Sequence, residues 1–249
     1  MSMYVITHKE YENKIKTEGY KILQVGAFKG HIQADCYDDT GENISTKNPN
    51  YCELTGLYWI WKNTNDSYVG ISHYRRYFTH TFNADRALNT EEIETLLSKY
   101  DVILPFHAKY KKTIAEDYAA LSGKKEDLLK VGKIIKELYP DYYNDYQSYM
   151  NSYTGTLYNM MITTKENYDN YCKWLFSILF ELEKNIDLTQ YNDYQKRIYG
   201  FLAERLLNVW VIHNKLNSCE ISVIPTEEKR SFVVKVLTGL KRVILYKLL

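Results

Sequence analysis

"NYCELTGLYWIWKNTNDSYVGISHYRRYF", residues 50–78, carries a helix into a strand within one short span. Leu54, Leu57, Tyr58 and Trp61 recur at helical spacing behind Asn50, a residue suited to capping the helix. After a polar turn, Val69 and Ile71 supply the inward positions of a strand, and Gly70 lets a neighbouring backbone or ligand approach closely. His73, Tyr74, Arg75 and Arg76 emerge at its carboxyl end, which is where an open α/β sheet binds ligands. Arginine suits phosphate there because its planar fork makes bidentate, charge-assisted hydrogen bonds and keeps its charge. Strand alternation sends adjacent residues to opposite faces. While the strand continues, one arginine therefore faces a ligand and the other braces the fold, and Arg75 is the slightly favoured ligand.

The same helix–strand grammar extends in both directions. Residues 3–7 and 21–25 read as strands, and residues 91–98 as an amphipathic helix running into a buried strand at 101–105. A strand at 157–163 precedes a helix with Tyr171, Leu175, Ile178, Leu179 and Leu182 on one face, and residues 219–225 form a late strand. This alternation predicts an α/β domain over residues 1–230. Within it, residues 110–151 form a polar helical insertion broken at Pro140, placed to shape an acceptor site. Residues 37–50 make a long polar loop of the kind that usually serves a function.

Residues 231–249 stand apart as a basic amphipathic helix, with Val233, Val236, Leu237, Leu240, Val243, Ile244 and Leu248 on one face and Lys235 and Arg242 beside it. It is too short and too charged to span a bilayer. It fits an anionic membrane surface, and equally a docking face on the domain or on a twin subunit.

Composition narrows the function classes. The 249 residues are 45% hydrophobic and 25% charged, as in a soluble globular chain, and the net charge of +1 argues against a nucleic-acid-coating protein. Four dispersed cysteines form no metal-ligand pair and read as reduced thiols, and the N-terminus lacks a secretory pattern, so a cytoplasmic location is expected. The 25 tyrosines, against 8 phenylalanines, suit either sugar stacking or amphipathic packing. No Ser/His/Asp or Cys/His arrangement and no phosphate-cradling glycine loop appears, which leaves hydrolase and kinase readings without support.

The blocks "TGENISTKNPNYCELTGLYWIWKN", "YVGISHYRRYF", "YDVILP", "WLFSILFELE" and "RIYGFLAERLLNVW" occur in order. Together they resemble the bacterial glycosyltransferase family of capsular and exopolysaccharide gene clusters long catalogued as a domain of unknown function, over about residues 3–226. The resemblance implies a GT-A-like single Rossmann-like domain with a mixed central sheet flanked by helices. It further implies a UDP-sugar donor, with galactose or galactofuranose the first guess for the hexose, and a lipid-linked oligosaccharide acceptor. The enzyme would sit peripherally at the inner membrane surface through the C-terminal helix, as a monomer or an oligomer.

Retaining GT-A galactosyltransferases offer a more distant likeness, in which a Tyr-x-Arg helix precedes a strand ending in Asp-x-Asp. Here Glu53 stands where those relatives have arginine, and a carboxylate in a first helical turn is also explained by the helix dipole. The strand supplies Ser72, His73, Tyr74 and Arg75 in place of the metal-binding acids. A hard divalent metal (Mn or Mg) needs oxygen ligands that this strand end lacks, so the His73–Arg76 cluster is expected to stabilise the leaving diphosphate instead.

By the same likeness Thr7, His8 and Lys9 lie near the nucleotide base, and Asn159 touches the donor sugar. Asn43, Ser45, Lys47 and Asn48 would contact ribose or phosphate, although Asn48 and Asn50 also suit helix capping. An inverting mechanism needs a carboxylate base, for which Glu204, Asp193 and Asp101 are candidates, with Arg205 on the acceptor side. For Glu204 and Arg205 the competing explanation is a structural ion-pair network. Two non-enzymatic readings stand beside the transferase: a carbohydrate-binding or scaffolding subunit without chemistry, and a sugar-phosphate or nucleic-acid binder, the latter disfavoured by the absence of an extended basic face.

Overall fold

The strand-forming runs of the first half are Ser2–Thr7 (β1), Tyr20–Gln24 (β2), Cys36–Tyr37 (β3), Tyr68–His73 (β4), Arg76–Phe78 (β5), Val102–Pro105 (β6) and Ala108–Lys109 (β7). Thr154–Gly155 (β8), Ile162–Thr164 (β9), Ser218–Ile221 (β10) and Val223–Pro225 (β11) follow. Between them lie Asn48–Tyr51 (α1), Leu54–Asn63 (α2), Thr90–Leu97 (α3), Ile114–Leu121 (α4), Lys125–Leu138 (α5), Tyr143–Met150 (α6), Lys165–Lys184 (α7) and Ile198–His213 (α8). The structure, a computed structural model, describes residues 1–12, 15, 17, 19–81, 85–226, 237, 239–241 and 243–244.

The sheet runs β10-β6-β9-β4-β1-β2-β3. β9 is antiparallel to β4 and β6, while the other pairings along this path are parallel, so the sheet is mixed but mostly parallel. Every residue of β1 is buried, as expected of a central strand covered on both faces. Alternation divides the strands between two cores. Tyr4, Ile6, Val102 and Leu104 pack with apolar residues of α2, α7 and α8. Met3, Ile103 and Ile162 pack with Ile93 and Leu96 of α3 on the other side.

Several expected boundaries shift for identifiable reasons. The strand expected at 157–163 shortens to β9, and the one at 219–225 breaks at Ser222, whose carbonyl accepts the Thr79 amide. Asn50 does not cap a helix: it lies inside α1 and donates its amide to the Lys196 carbonyl at 2.9 Å. The helices of the 110–151 segment supply Tyr118, Val131, Ile135 and Tyr146 to the larger core, with α5 against α7 and α6 against α8. All four cysteines are free, and Cys172 and Cys219 are buried. Most of the basic helix expected at 231–249 lies outside the described residues; of those described there, Leu237, Leu240 and Ile244 are exposed. Among the described residues no helix is long and apolar enough to cross a membrane.

The polar loop before α2 is organised around one carboxylate. Asp38, fully buried, accepts hydrogen bonds from the amides of Gly26 and Ala27 and from the hydroxyls of Ser45 and Thr55. Gly26 has a φ of 67°, and a Cβ there would fall 2.6 Å from Asn48 Oδ1, so this turn requires glycine. The loop is thereby locked to the ends of β2 and α2. Asp38→Ala is expected to cost about 3–5 kcal/mol, because four donors lose a buried acceptor at once. Chemical denaturation measures it, and a loss below about 1 kcal/mol would show that water substitutes for the carboxylate.

Candidate active site

A cleft of about 800 Å³ opens at the carboxyl ends of β1 and β4. Its walls come from the loop leaving β1, the turn between β4 and β5, the junction of α1 and α2, the end of α4, and the start of α8. Five cations, Lys9, Arg75, Arg76, Arg197 and Arg205, share it with three carboxyls, Glu53, Asp117 and Glu204.

The arginine pair owes its position to a tight hairpin. β4 ends at His73, which pairs with Arg76, so Tyr74 and Arg75 form the turn and Arg76 opens an antiparallel strand. Ile6 O accepts the Tyr74 amide at 3.1 Å, and Arg75 O accepts the Thr226 amide at 3.0 Å. Because the strand has already ended, alternation does not separate the two arginines. Both line the cleft, as the sequence reading allowed for a strand that had already ended.

Tyr74 contributes its ring: Lys9 Nζ lies 5.4 Å and Arg75 Cζ 5.1 Å from its centroid, with His8 edge-on at 5.5 Å. Arg76 Cζ stands 4.8 Å from the Tyr158 ring centre. Burial lowers the pKa of His8, and Lys9, Arg75 and Arg197 lower it further, the mark of a local positive field that an anion would relieve. His73 is also held below the usual histidine range, first by burial.

The other expected residues divide by location. Thr7, His8, Lys9 and Asn48 line the cleft. The Thr7 hydroxyl is engaged with the Lys9 backbone, donating to its carbonyl at 2.6 Å, and so shapes the turn. Asn48 donates to Cys52 O at 2.8 Å and to Thr55 Oγ1 at 3.3 Å. Asn43, Ser45 and Lys47 are not brought to the cleft, because each is used inside the fold. Asn43 bridges the Asp39 and Gly41 carbonyls, Ser45 donates to Asp38, and Lys47 pairs with Glu183 of α7 at 2.6 Å. Asn159 lies just beneath the cleft, buried, and donates to Glu53 Oε1 at 2.7 Å and Gly200 O at 3.0 Å. Asp193 is fully exposed and pairs with Lys196, and Asp101 ties its carboxylate to the Asn217 amide at the start of β6. Neither carboxylate lines the cleft.

Glu204 does line it. Its carboxylate meets Arg205 at 2.9 Å, keeps 20% exposure, and is pushed up to about 8 by burial despite the opposing pull of Arg205. Arg205 is 2% exposed and also reaches Asp117 at 3.5 Å, so the ion-pair network and the cleft coincide here. Sequence reading missed Arg197, whose Nε donates to Cys52 Sγ at 3.2 Å, and the cleft-facing position of Glu53. For Arg197 the one local signal is its place just before α8.

A hard divalent cation does not fit this donor set. The end of β4 offers no carboxylate, and Glu204 and Asp117 are drawn to Arg205 while Glu53 is bound by Asn159. Among the described residues no group of three His, Cys, Asp or Glu converges.

The fold is that of a glycosyltransferase domain of the Rossmann-like kind. The apo structure of WbbM, a bifunctional glycosyltransferase, superposes with a TM-score of 0.81 at 29% identity, over 91% of this chain and 45% of the WbbM chain. This chain therefore spans less than half the length of that relative. Residues 2–215 match the family described as domain of unknown function DUF4422, and the chain belongs to that family. No curated protein matches it.

Proposed function

We propose that this chain is a GT-A-type glycosyltransferase that moves a hexose, galactose or galactofuranose, from a UDP-sugar to a lipid-linked oligosaccharide in capsular or exopolysaccharide assembly. The observation that carries the reading is the cationic cleft at the carboxyl ends of β1 and β4, in a fold similar to that of WbbM. Lys9, Arg75, Arg76 and Arg197 would hold the diphosphate and stabilise the charge it gains as the glycosidic bond breaks. The turn at Thr7–Lys9 would receive the base, and Glu204 and Arg205 would face the acceptor. In this reading the protein works at the cytoplasmic face of the membrane, held there by its basic C-terminal segment.

Fixed guanidinium groups replace a metal in this proposal. Activity is expected to survive exhaustive chelation within about twofold, since no step needs a bridging cation. Incubating purified protein with a panel of nucleotide sugars and a lipid-linked acceptor, with and without EDTA, tests both points. Absence of transfer from every donor overturns the glycosyltransferase reading. Loss in EDTA that manganese or magnesium restores overturns metal independence.

A further inference from the structure

Given glycosyl transfer in this cleft, the geometry points to Glu53 as the catalytic base that takes the proton of the acceptor hydroxyl, with Asn159 as its positioning residue. Glu53 reads in sequence as a helix-dipole carboxylate, and it lies at the start of α2, yet its side chain makes no capping hydrogen bond there. It turns into the cleft, where Asn159 Nδ2 donates to its Oε1 at 2.7 Å. Asn159 is itself 2% exposed and is anchored by a second bond from the same amide nitrogen to Gly200 O at 3.0 Å. One carboxylate oxygen is thus aimed from behind. Among the described residues Glu53 makes no ion pair within 4.0 Å, whereas Glu204 and Asp117 are both drawn to Arg205.

The backbone that presents Glu53 is unusual. Cys52, the preceding residue, has a φ of 53° although it is not glycine, a conformation that persists only where surrounding contacts enforce it. Those contacts are present. Cys52 O accepts from Asn48 Nδ2, Cys52 N donates to Asn48 O, and Cys52 Sγ accepts from Arg197. The Glu53 carbonyl in turn accepts the amides of Gly56 and Leu57. A strained joint held on every side, at the floor of a cleft, sets the direction of one carboxylate. Glu204 is less suited to the task, because burial keeps its proton in place near neutral pH.

In the reaction, the acceptor oxygen bonds to the anomeric carbon as its proton passes to the free oxygen of Glu53. The bond from the anomeric carbon to the diphosphate oxygen breaks, and its electron pair leaves on the nucleoside diphosphate. Glu53 then returns its proton to water.

The test compares full-length wild type with Glu53→Gln, Glu53→Ala and Asn159→Ser, using the donor and acceptor that support transfer. Glu53→Gln is expected to lower kcat by about 10³-fold with little change in donor KM, the usual range for losing a general base. Added formate is expected to raise the rate of Glu53→Ala at least about tenfold, which restoring a merely structural group would not do. Asn159→Ser is expected to lower kcat about tenfold at unchanged donor KM, because it loosens the base without removing it. Thermal shift by the nucleoside diphosphate reports folding of each variant independently of turnover. Wild-type transfer with Glu53→Gln within tenfold of it, or Glu53→Ala folded but not rescued, overturns the assignment while leaving the transferase reading intact. No transfer by wild type overturns both.

Discussion

Arg76→Ala is expected to reduce kcat/KM for the nucleotide-sugar donor by about 10²–10³-fold, the loss typical of removing one preorganised donor from a site of developing negative charge. The backbone of Arg76 is held on both sides, pairing with His73 on one and with Pro225 on the other. Its guanidinium lies over Tyr158 and makes no ion pair among the described residues, so its hydrogen-bonding fork is available to an anion. Arg76→Lys keeps the charge and loses the fork, and should fall between alanine and wild type. The same variants read out in binding. A nucleoside diphosphate at one hundred times its Kd stabilises the native chain by about 2.7 kcal/mol, or about 5–10 °C in Tm, and Arg76→Ala should lose most of that shift. A full shift in Arg76→Ala would place the diphosphate elsewhere in the cleft.

Glu204 ties activity and stability to pH in one direction. Its folded-state pKa, about 8, lies above its ordinary value because burial penalises the charge. The folded chain therefore holds a proton that the unfolded chain has released, and this stabilising contribution is complete below about pH 4.5 and disappears as pH rises through about 8. The loss is at most on the order of 5 kcal/mol. Glu204→Gln cannot ionise, so it should equal wild type in acid and exceed it in Tm at pH 9. Turnover by wild type should also fall as pH passes about 8, since an ionised Glu204 adds negative charge to the cleft that must hold the diphosphate. That limb should vanish in Glu204→Gln. A wild-type Tm that does not fall between pH 5 and pH 9 relative to the variant would mean that Arg205 fully compensates the burial.

The α/β class and the place of the candidate cleft were legible because both depend on local pattern. The β-branched and aromatic run at residues 3–7 and the apolar run at 68–71 report strands, and the rule that ligands sit at carboxyl ends picks out His73, Arg75 and Arg76. What stayed hidden depends on contacts between residues far apart in the chain. Nothing near Ser45 announces that Asp38 claims its hydroxyl, and nothing near Lys47 announces Glu183, 136 positions away. Asn159 and Glu53 are 106 positions apart, so the carboxylate read as a helix-end charge until the fold brought its partner beneath it. For the arginine pair, two residues of hairpin suffice to undo the alternation argument.

The pairing of β11 with β5 also orders events in time. The turn that carries Arg75 and the strand that carries Arg76 are synthesised well before their outer partner, residues 223–226. A nascent chain that has not yet delivered those residues from the ribosome has the arginines and lacks the brace that aims them. In the proposed function, donor recognition thus waits on residues 223–226, which are made long after the arginines they brace.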